Sequence, residues 1–294
     1  MAYIMYGKKV FVIPIVIAII LGAVIWGIVY NTRKNNAPQE SADNQKEQIN
    51  YIWGEIKPGK RNTNNFTTVT SSDGIQVPKP LVKVGGEPLL GRLLHIFLNN
   101  NADSVCIIIN EEMTEVRDFL EQQHLPVPLH VVVKSTPDSF HSFYELMPYL
   151  KGEGKFCLTT VDPIFREPEF SDYIRAFRES DKEDALMAVT DFIDDERPLY
   201  VKTHPDNLKI VGYASESYPD CRYISGGIYC MNQKALSLLP AAMEKGVSRM
   251  RGFQQYLVDA GLQVQAYPFS KVIDIDHATD VEKAERFLEE QTIK

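Results

Sequence analysis

The chain has 294 residues, 44% hydrophobic and 24% charged, the balance of a globular protein rather than a disordered or fibrous one. Its 31 Lys and Arg against 39 Asp and Glu give a net charge of −8, which argues against a nucleic-acid partner, because phosphate backbones are held by clustered cations. Small anionic substrates stay open, since a site needs only a few cations locally.

Val10 to Tyr30 carries no charged side chain and is dominated by Val and Ile. About 20 helical residues cross a ~30 Å bilayer core, so residues 10–30 are expected to form one transmembrane helix. Residues 1–9 form its amino-terminal flank. Lys8 and Lys9 on one side and Arg33 and Lys34 on the other leave the positive-inside rule tied. Residues 31–65, rich in Asn, Gln, Lys and Glu apart from Tyr51-Ile52-Trp53, read as a polar tether.

From residue 66 to 294 the texture is that of one α/β domain. The apolar runs Ser104–Asn110, Leu129–Lys134, Lys155–Val161 and Ala185–Thr190 have strand length. Between them, residues 88–100, 112–122, 140–150 and 168–179 place apolar side chains at helical spacing, as with Leu89, Leu93, Ile96 and Phe97. Buried strands separated by helices predict a mostly parallel, Rossmann-like sheet with helices on both faces. Beyond Pro198 the runs Leu208–Tyr213 and Tyr223–Met231 lie closer together and predict an antiparallel addition. Cys106, Cys157, Cys221 and Cys230 lack C-x-x-C spacing and read as free thiols, most of them buried.

Four places can carry chemistry. In Pro78-Lys79-Pro80 the prolines hold a lysine on an extended segment, ahead of a Gly85-Gly86 turn and Pro88 at the start of a helix. That lysine is either a cation for phosphates or a solvated side chain. Asp162 follows the run Phe156–Val161, beyond the carboxyl end of a strand, where open α/β sheets bind ligands. Taken alone it is equally a turn or cap residue. Asp274 and Asp276 alternate with apolar residues and put two carboxylates on one side of a strand; metal binding would relieve their repulsion, while a helix cap is the plainer alternative. Gly226-Gly227 inside a strand pattern marks a ligand lying close to the backbone, or a bulge.

Taken in order, Lys-Pro-Leu-Val-x-Val-Gly-Gly-x-Pro-Leu-Leu from Lys79, a strand ending in Asp162, Gly226-Gly227-Ile228-Tyr229, and Asp274-Ile275-Asp276 before a last helix make residues 70–291 resemble the nucleotidyltransferases that build activated sugars and related headgroups. The Asp-Ile-Asp ending is similar to the cytidylyltransferase branch. The resemblance implies that a phosphorylated acceptor attacks the α-phosphorus of a nucleoside triphosphate and displaces pyrophosphate, with Mg²⁺ as cofactor. It implies that Lys79 binds phosphates, that Asp162 with Asp274 or Asp276 holds the metal, and that Gly226 and Gly227 flank the acceptor. It also places Ser139 and His141, in the loop 135–142, near the base. A domain using nucleoside triphosphates is expected to face the cytoplasm. One departure stands out. Where the family has a G-x-G-x-R phosphate loop, Asn64–Thr70 has no glycine and no arginine. The alternative reading is therefore a membrane-tethered binding domain impaired in catalysis by the loss of that loop.

Overall fold

The computed structural model describes Ile15–Ala18, Tyr51–Trp53, Thr68–Thr70 and residues 76–290 except 153, 195 and 196. Ten strands share one sheet: β1 (Ile15–Ala18), β2 (Tyr51–Trp53), β3 (Val105–Ile109), β4 (Leu129–Val133), β5 (Phe156–Thr159), β6 (Ala185–Thr190), β7 (Tyr200–Thr203), β8 (Ile210–Ala214), β9 (Tyr223–Met231) and β10 (Val264–Phe269). Their order is β8-β7-β9-β5-β2-β1-β3-β4, with β6 pairing β9 and β10. The longer helices are α1 (Leu89–Asn99), α2 (Thr114–Glu121), α3 (Ser139–Leu150), α4 (Glu167–Glu179), α5 (Arg249–Asp259) and α6 (Ala278–Glu289). The first four fall where the apolar periodicity puts them, within the usual few residues. On α1, Leu89, Leu93, Ile96 and Phe97 are all buried, as their spacing requires.

The sheet is mixed: its antiparallel strands come from the part of the chain beyond Pro198, where an antiparallel addition is expected. β1, β2, β3, β4 and β5 run parallel to one another, as do β6 and β10. β9, however, is antiparallel to both β5 and β6, and β7 to β8. Parallel neighbours need a crossover of a dozen or more residues, usually a helix, and the short links beyond Pro198 leave no room for one. A correction concerns Leu129–Lys134. That run is as apolar as its neighbours, yet β4 is the sheet edge, with Val131 37% and Val133 36% exposed. All four cysteines are free thiols, with Cys106, Cys157 and Cys230 buried.

The sheet position between β5 and β3 is filled from the amino-terminal part of the chain. Ile15 and Tyr51 both register with Cys157, Val16 and Ile52 with Leu158, and Ile17 and Trp53 with Thr159. β1 also reaches β3, with Ala18 opposite Ile108. One ladder edge hydrogen-bonds one strand at a time, so these two segments claim the same position. The described part of residues 10–30 is thus a strand and not the expected helix; an uncharged, β-branched run suits a strand buried on both faces as well as a bilayer. The rest of 10–30 lies outside the described residues. Among those described, no helix is long and apolar enough to cross a membrane. Thr68–Thr70 pairs with Gln76–Pro78 in a small antiparallel hairpin.

At Gly226-Gly227 the ladder between β6 and β9 slips, from Met187 opposite Tyr229 to Val189 opposite Ser225. A side chain from α4 packs beside the slip. The fully buried Tyr173 hydroxyl donates to the Leu186 carbonyl at 2.5 Å and accepts from the Cys230 N–H at 2.9 Å.

Asp138 ties α3 to α5. Its carboxylate caps α3, accepting from Phe140 N–H at 2.9 Å and His141 N–H at 3.1 Å, and it also accepts from Arg249 N–H at 3.1 Å. Ser139 Oγ accepts from Met250 N–H at 2.9 Å. Burial alone would raise the Asp138 pKa, but the hydrogen bonds from the His141 side chain and from the Arg249 and His141 backbone outweigh it and hold it below the ordinary 3.8. A depressed carboxyl pKa stabilises the fold above the ordinary value, and that contribution is lost as pH falls through the lowered one. We therefore expect denaturant melts of Asp138→Asn to show their largest stability deficit above pH 3.8, closing as the pH is lowered further. A deficit of the same size at every pH would contradict this assignment.

Candidate active site

The site begins with a lysine the fold cannot leave in water. Lys79 opens the 3-10 turn Lys79–Leu81, with Pro78 before it and Pro80 after it, and Val82 N–H closes the turn on the Lys79 carbonyl at 3.1 Å. The side chain points inward and the residue is only 3% exposed. A buried ammonium needs carboxylate partners, and two are supplied. Lys79 Nζ donates to Asp162 Oδ2 at 3.0 Å and to Asp276 Oδ1 at 2.6 Å.

Local pairing brings the two aspartates together. β5 ends at Thr159, and the chain then runs through Asp162 into the two-residue strand Pro163–Ile164. That strand pairs antiparallel with Ile273–Asp274, placing Pro163 opposite Asp274, while Ile275 N–H donates to the Asp162 carbonyl at 3.1 Å. The expected alternation holds, with Ile273 and Ile275 buried and Asp274 exposed. Asp276 is not the cap of the last helix. Its own N–H donates to Asp280 Oδ2 at 3.2 Å, as does His277 N–H at 2.8 Å, so Asp280 shapes the loop and leaves the Asp276 carboxylate to Lys79.

A cleft of about 270 Å³ opens beside this cluster, lined among others by Ser225, Gly226, Asp274, Asp276, Asp194 and Lys283. Gly226 is packed too closely for a side chain: a Cβ there would lie 3.3 Å from the Ala188 carbonyl oxygen and 3.2 Å from Val272 Cγ2. Gly227 has φ +71°, a left-handed conformation that costs other residues about 1–2 kcal/mol. Gly226-Gly227 is thus a bulge that also brings bare backbone to the cleft wall. Burial holds the Tyr229 hydroxyl well above its ordinary pKa; Ser225 opposes this by hydrogen bonding, and Asp274 and Asp162 add to it.

Of the residues the sequence singles out, Lys79, Asp162, Asp274, Asp276 and Gly226 converge here, with Gly227 adjoining. Ser139 and His141 do not join them. Ser139 is spent on the α3–α5 tie, and His141 Nδ1 lies 3.0 Å from Asp138 Oδ1. Asp194, His277, Asp280 and Lys283 also line the cleft and carry no signal in the sequence as site residues. Lys283 bridges Asp194 at 2.8 Å and Asp280 at 3.3 Å. His277-x-x-Asp280 is legible as a helix start, but Asp194 reaches the cleft from a distant loop.

β2 runs parallel to β5, so the chain leaves Trp53 on the side where Asp162 lies. The residues that follow in sequence are Gly54-Glu55-Ile56-Lys57-Pro58-Gly59-Lys60-Arg61, which hold two glycines and three cations and lie outside the described residues.

Comparison with known proteins points in one direction. Two curated relatives match over part of their length. The bifunctional IPC transferase and DIPP synthase of Aquifex aeolicus (strain VF5) is 24% identical over 229 residues, covering 74% of this chain and 49% of that protein. The bifunctional protein GlmU of Rippkaea orientalis (strain PCC 8801 / RF-1) is 27% identical over 173 residues, covering 56% and 37%. The chain therefore spans about half or less of the length of these relatives. Among solved structures, the inositol-1-phosphate CTP transferase from T. maritima superposes with a TM-score of 0.60 at 20% identity, over 75% of this chain and 92% of that one. A putative glucose-1-phosphate thymidylyltransferase from Bacillus anthracis gives 0.62 at 18%, over 72% and 86%. At such identities the likeness is one of fold. Residues 71–245, more than half of the chain, match the MobA-like NTP transferase domain, and the chain belongs to that family of nucleotidyltransferases.

Proposed function

We propose that this chain transfers a nucleoside monophosphate from a nucleoside triphosphate to a sugar phosphate or similar phosphorylated alcohol. The observation that carries the reading is the meeting of Lys79, Asp162 and Asp276 beside a cleft that Asp276 and Gly226 both line. An acceptor phosphate oxygen forms the new bond to the α-phosphorus, and the bond from that phosphorus to the bridging oxygen breaks, sending the electron pair out with pyrophosphate. The acceptor is already anionic, so no protein base is required. What the reaction needs is alignment and neutralised charge.

The donor set fits Mg²⁺. Two carboxylates that converge on one cation position, with Asp274 beside them, match an ion that takes one or two carboxylates and fills its shell with water and phosphate oxygens. Among the described residues no three His, Cys, Asp or Glu side chains form a ready-made cage. When bound, Mg²⁺ would neutralise triphosphate charge and help align the reacting groups. Asp162 and Asp276, with Asp274, would hold it. Lys79 bridges the first two, and with a metal on those carboxylates its ammonium would supply further positive charge for the phosphates. Gly226 lines the cleft, so an acceptor seated there would meet its backbone.

CTP is the donor to try first. The Asp274-Ile275-Asp276 ending supports it, as does the CTP named for the T. maritima neighbour. The impaired-binder reading rests on Asn64–Thr70, which lacks glycine and arginine. The cations and glycines that follow β2 favour the active reading over it. We also place the domain in the cytoplasm, tethered through residues 10–30, a reading supported by the uncharged run Val10–Tyr30. Ile15–Ala18 cannot serve sheet and bilayer together, but Tyr51–Trp53 has the same register against β5 and can hold the sheet position when the first segment is in the membrane.

Two predictions follow from these proposals. Pyrophosphate release by the intact chain, with Mg²⁺, CTP and a panel of sugar phosphates, should fall at least about 100-fold in Asp162→Asn and in Lys79→Met; Lys79→Met should at the same time bind Mn²⁺ more tightly than the parent, because it removes the competing charge. No release from the parent with any common triphosphate would favour the impaired domain. Alkaline extraction should leave the chain in the membrane pellet, and its recovery in the supernatant would remove the tether.

A further inference from the structure

The cleft beside Lys79 sets a charge problem that the cluster around that lysine does not solve. Its wall carries four carboxylates, Asp194, Asp274, Asp276 and Asp280. A phosphorylated acceptor is itself anionic, and like charges at close range repel. In the nucleotidyl-transfer reading, Mg²⁺ and Lys79 are committed to the triphosphate. Another cation has to meet the acceptor. Among the described residues that line the cleft, the one lysine or arginine is Lys283.

Lys283 is placed by the same carboxylate that shapes the Asp276 loop. Asp280 Oδ2 accepts from Asp276 N–H at 3.2 Å and from His277 N–H at 2.8 Å, while its Oδ1 lies 3.3 Å from Lys283 Nζ, one turn along α6. The ammonium is thereby held near Asp276, on the side of the cleft where an acceptor phosphate has to lie to reach the α-phosphorus. Its other partner is Asp194 at 2.8 Å, on the loop that follows β6. The two side chains of that bridge are 40% and 41% exposed. Pairs so exposed add little to stability, so Asp194 is a partner that Lys283 can readily give up. An ammonium also has three N–H donors, and two carboxylates leave one over. A phosphate can therefore join Asp280 on this ammonium, beside Asp194 or in its place.

We propose that Lys283 binds the phosphate of the acceptor and restricts the cleft to phosphorylated alcohols. The inference rests on the nucleotidyl-transfer reading, and its test separates the two. In the intact chain, with Mg²⁺ and a non-hydrolysable CTP analogue filling the donor site, inorganic phosphate is titrated as the smallest acceptor probe. Lys283→Met should weaken phosphate binding at least about tenfold and leave the analogue bound as in the parent. Lys283→Arg should restore phosphate to within about threefold of the parent, since it returns the charge. Asp194→Asn should tighten phosphate, because it removes a competing carboxylate. Phosphate bound equally well by the methionine variant and the parent would overturn the inference, and so would equal weakening of phosphate and analogue. Should the methionine variant fail to fold, Asp194→Asn carries the test, and phosphate bound no more tightly there would overturn it. A parent that binds the analogue but not phosphate would overturn this inference alone, whereas one that binds neither would overturn nucleotidyl transfer itself.

Discussion

Withdrawing a lysine ammonium from water is strongly unfavourable unless charge partners follow it, and Lys79 is 3% exposed. Its partners Asp162 and Asp276 lie 83 and 197 residues away in sequence. Three remote segments must therefore arrive together: the proline-flanked turn, the exit of β5, and the strand before α6. The burden is uneven. The Asp162 side chain is 16% exposed and that of Asp276 41%, so Asp162 has lost more hydration and depends more on the lysine. Losing one member of a buried pair typically costs about 3–5 kcal/mol, with less expected on the more exposed Asp276 side. Such an arrangement is weak evidence for stability and better evidence for a site, because an apolar trio would pack there at least as well.

The rest of the architecture keeps those three segments in register. The short ladder of Pro163–Ile164 with Ile273–Asp274 sets the distance between the aspartates. Glu285 on α6 accepts from Gly85 N–H at 2.9 Å, joining the last helix to the turn that follows Lys79. The glycines of the Gly226-Gly227 bulge let the strand pack closely against Ala188, Val272 and Thr160, and Tyr173, reaching in from α4, hydrogen-bonds backbone groups beside it. The irregular parts of β9 are therefore supported from behind.

Much of this was legible in the residues. Buried strands and amphipathic helices show their periods directly, which is why α1 to α4 and the strands β3, β5 and β6 could be placed. Lys79, Asp162, Asp274, Asp276 and Gly226-Gly227 each carry a local oddity: a cation between prolines, a carboxylate past a strand, alternating acids, glycines in a strand. Long-range electrostatics were not legible. Nothing near Lys79 in sequence announces that two aspartates will claim it. Edge position is equally silent, so β4 looks like a central strand. An uncharged apolar run is ambiguous between membrane and sheet, since both surround the backbone with hydrocarbon, and only the pairing of Ile15–Ala18 separates the two for those residues. Ser139 and His141 sit in the expected loop, but the hydroxyl of one is used to join two helices and the imidazole of the other lies against the capping carboxylate.

The central claim is that the two aspartates around Lys79 receive a metal with the triphosphate, rather than serving only as a structural ion pair. The most direct measurement is Mn²⁺ binding to the intact chain, followed by electron paramagnetic resonance with and without a non-hydrolysable CTP analogue. The account predicts weak Mn²⁺ binding by the protein alone, at least tenfold tightening with the analogue, and loss of that gain in the Asp162→Asn, Asp276→Asn double variant. Mn²⁺ bound equally well by parent and double variant in the presence of the analogue would contradict it.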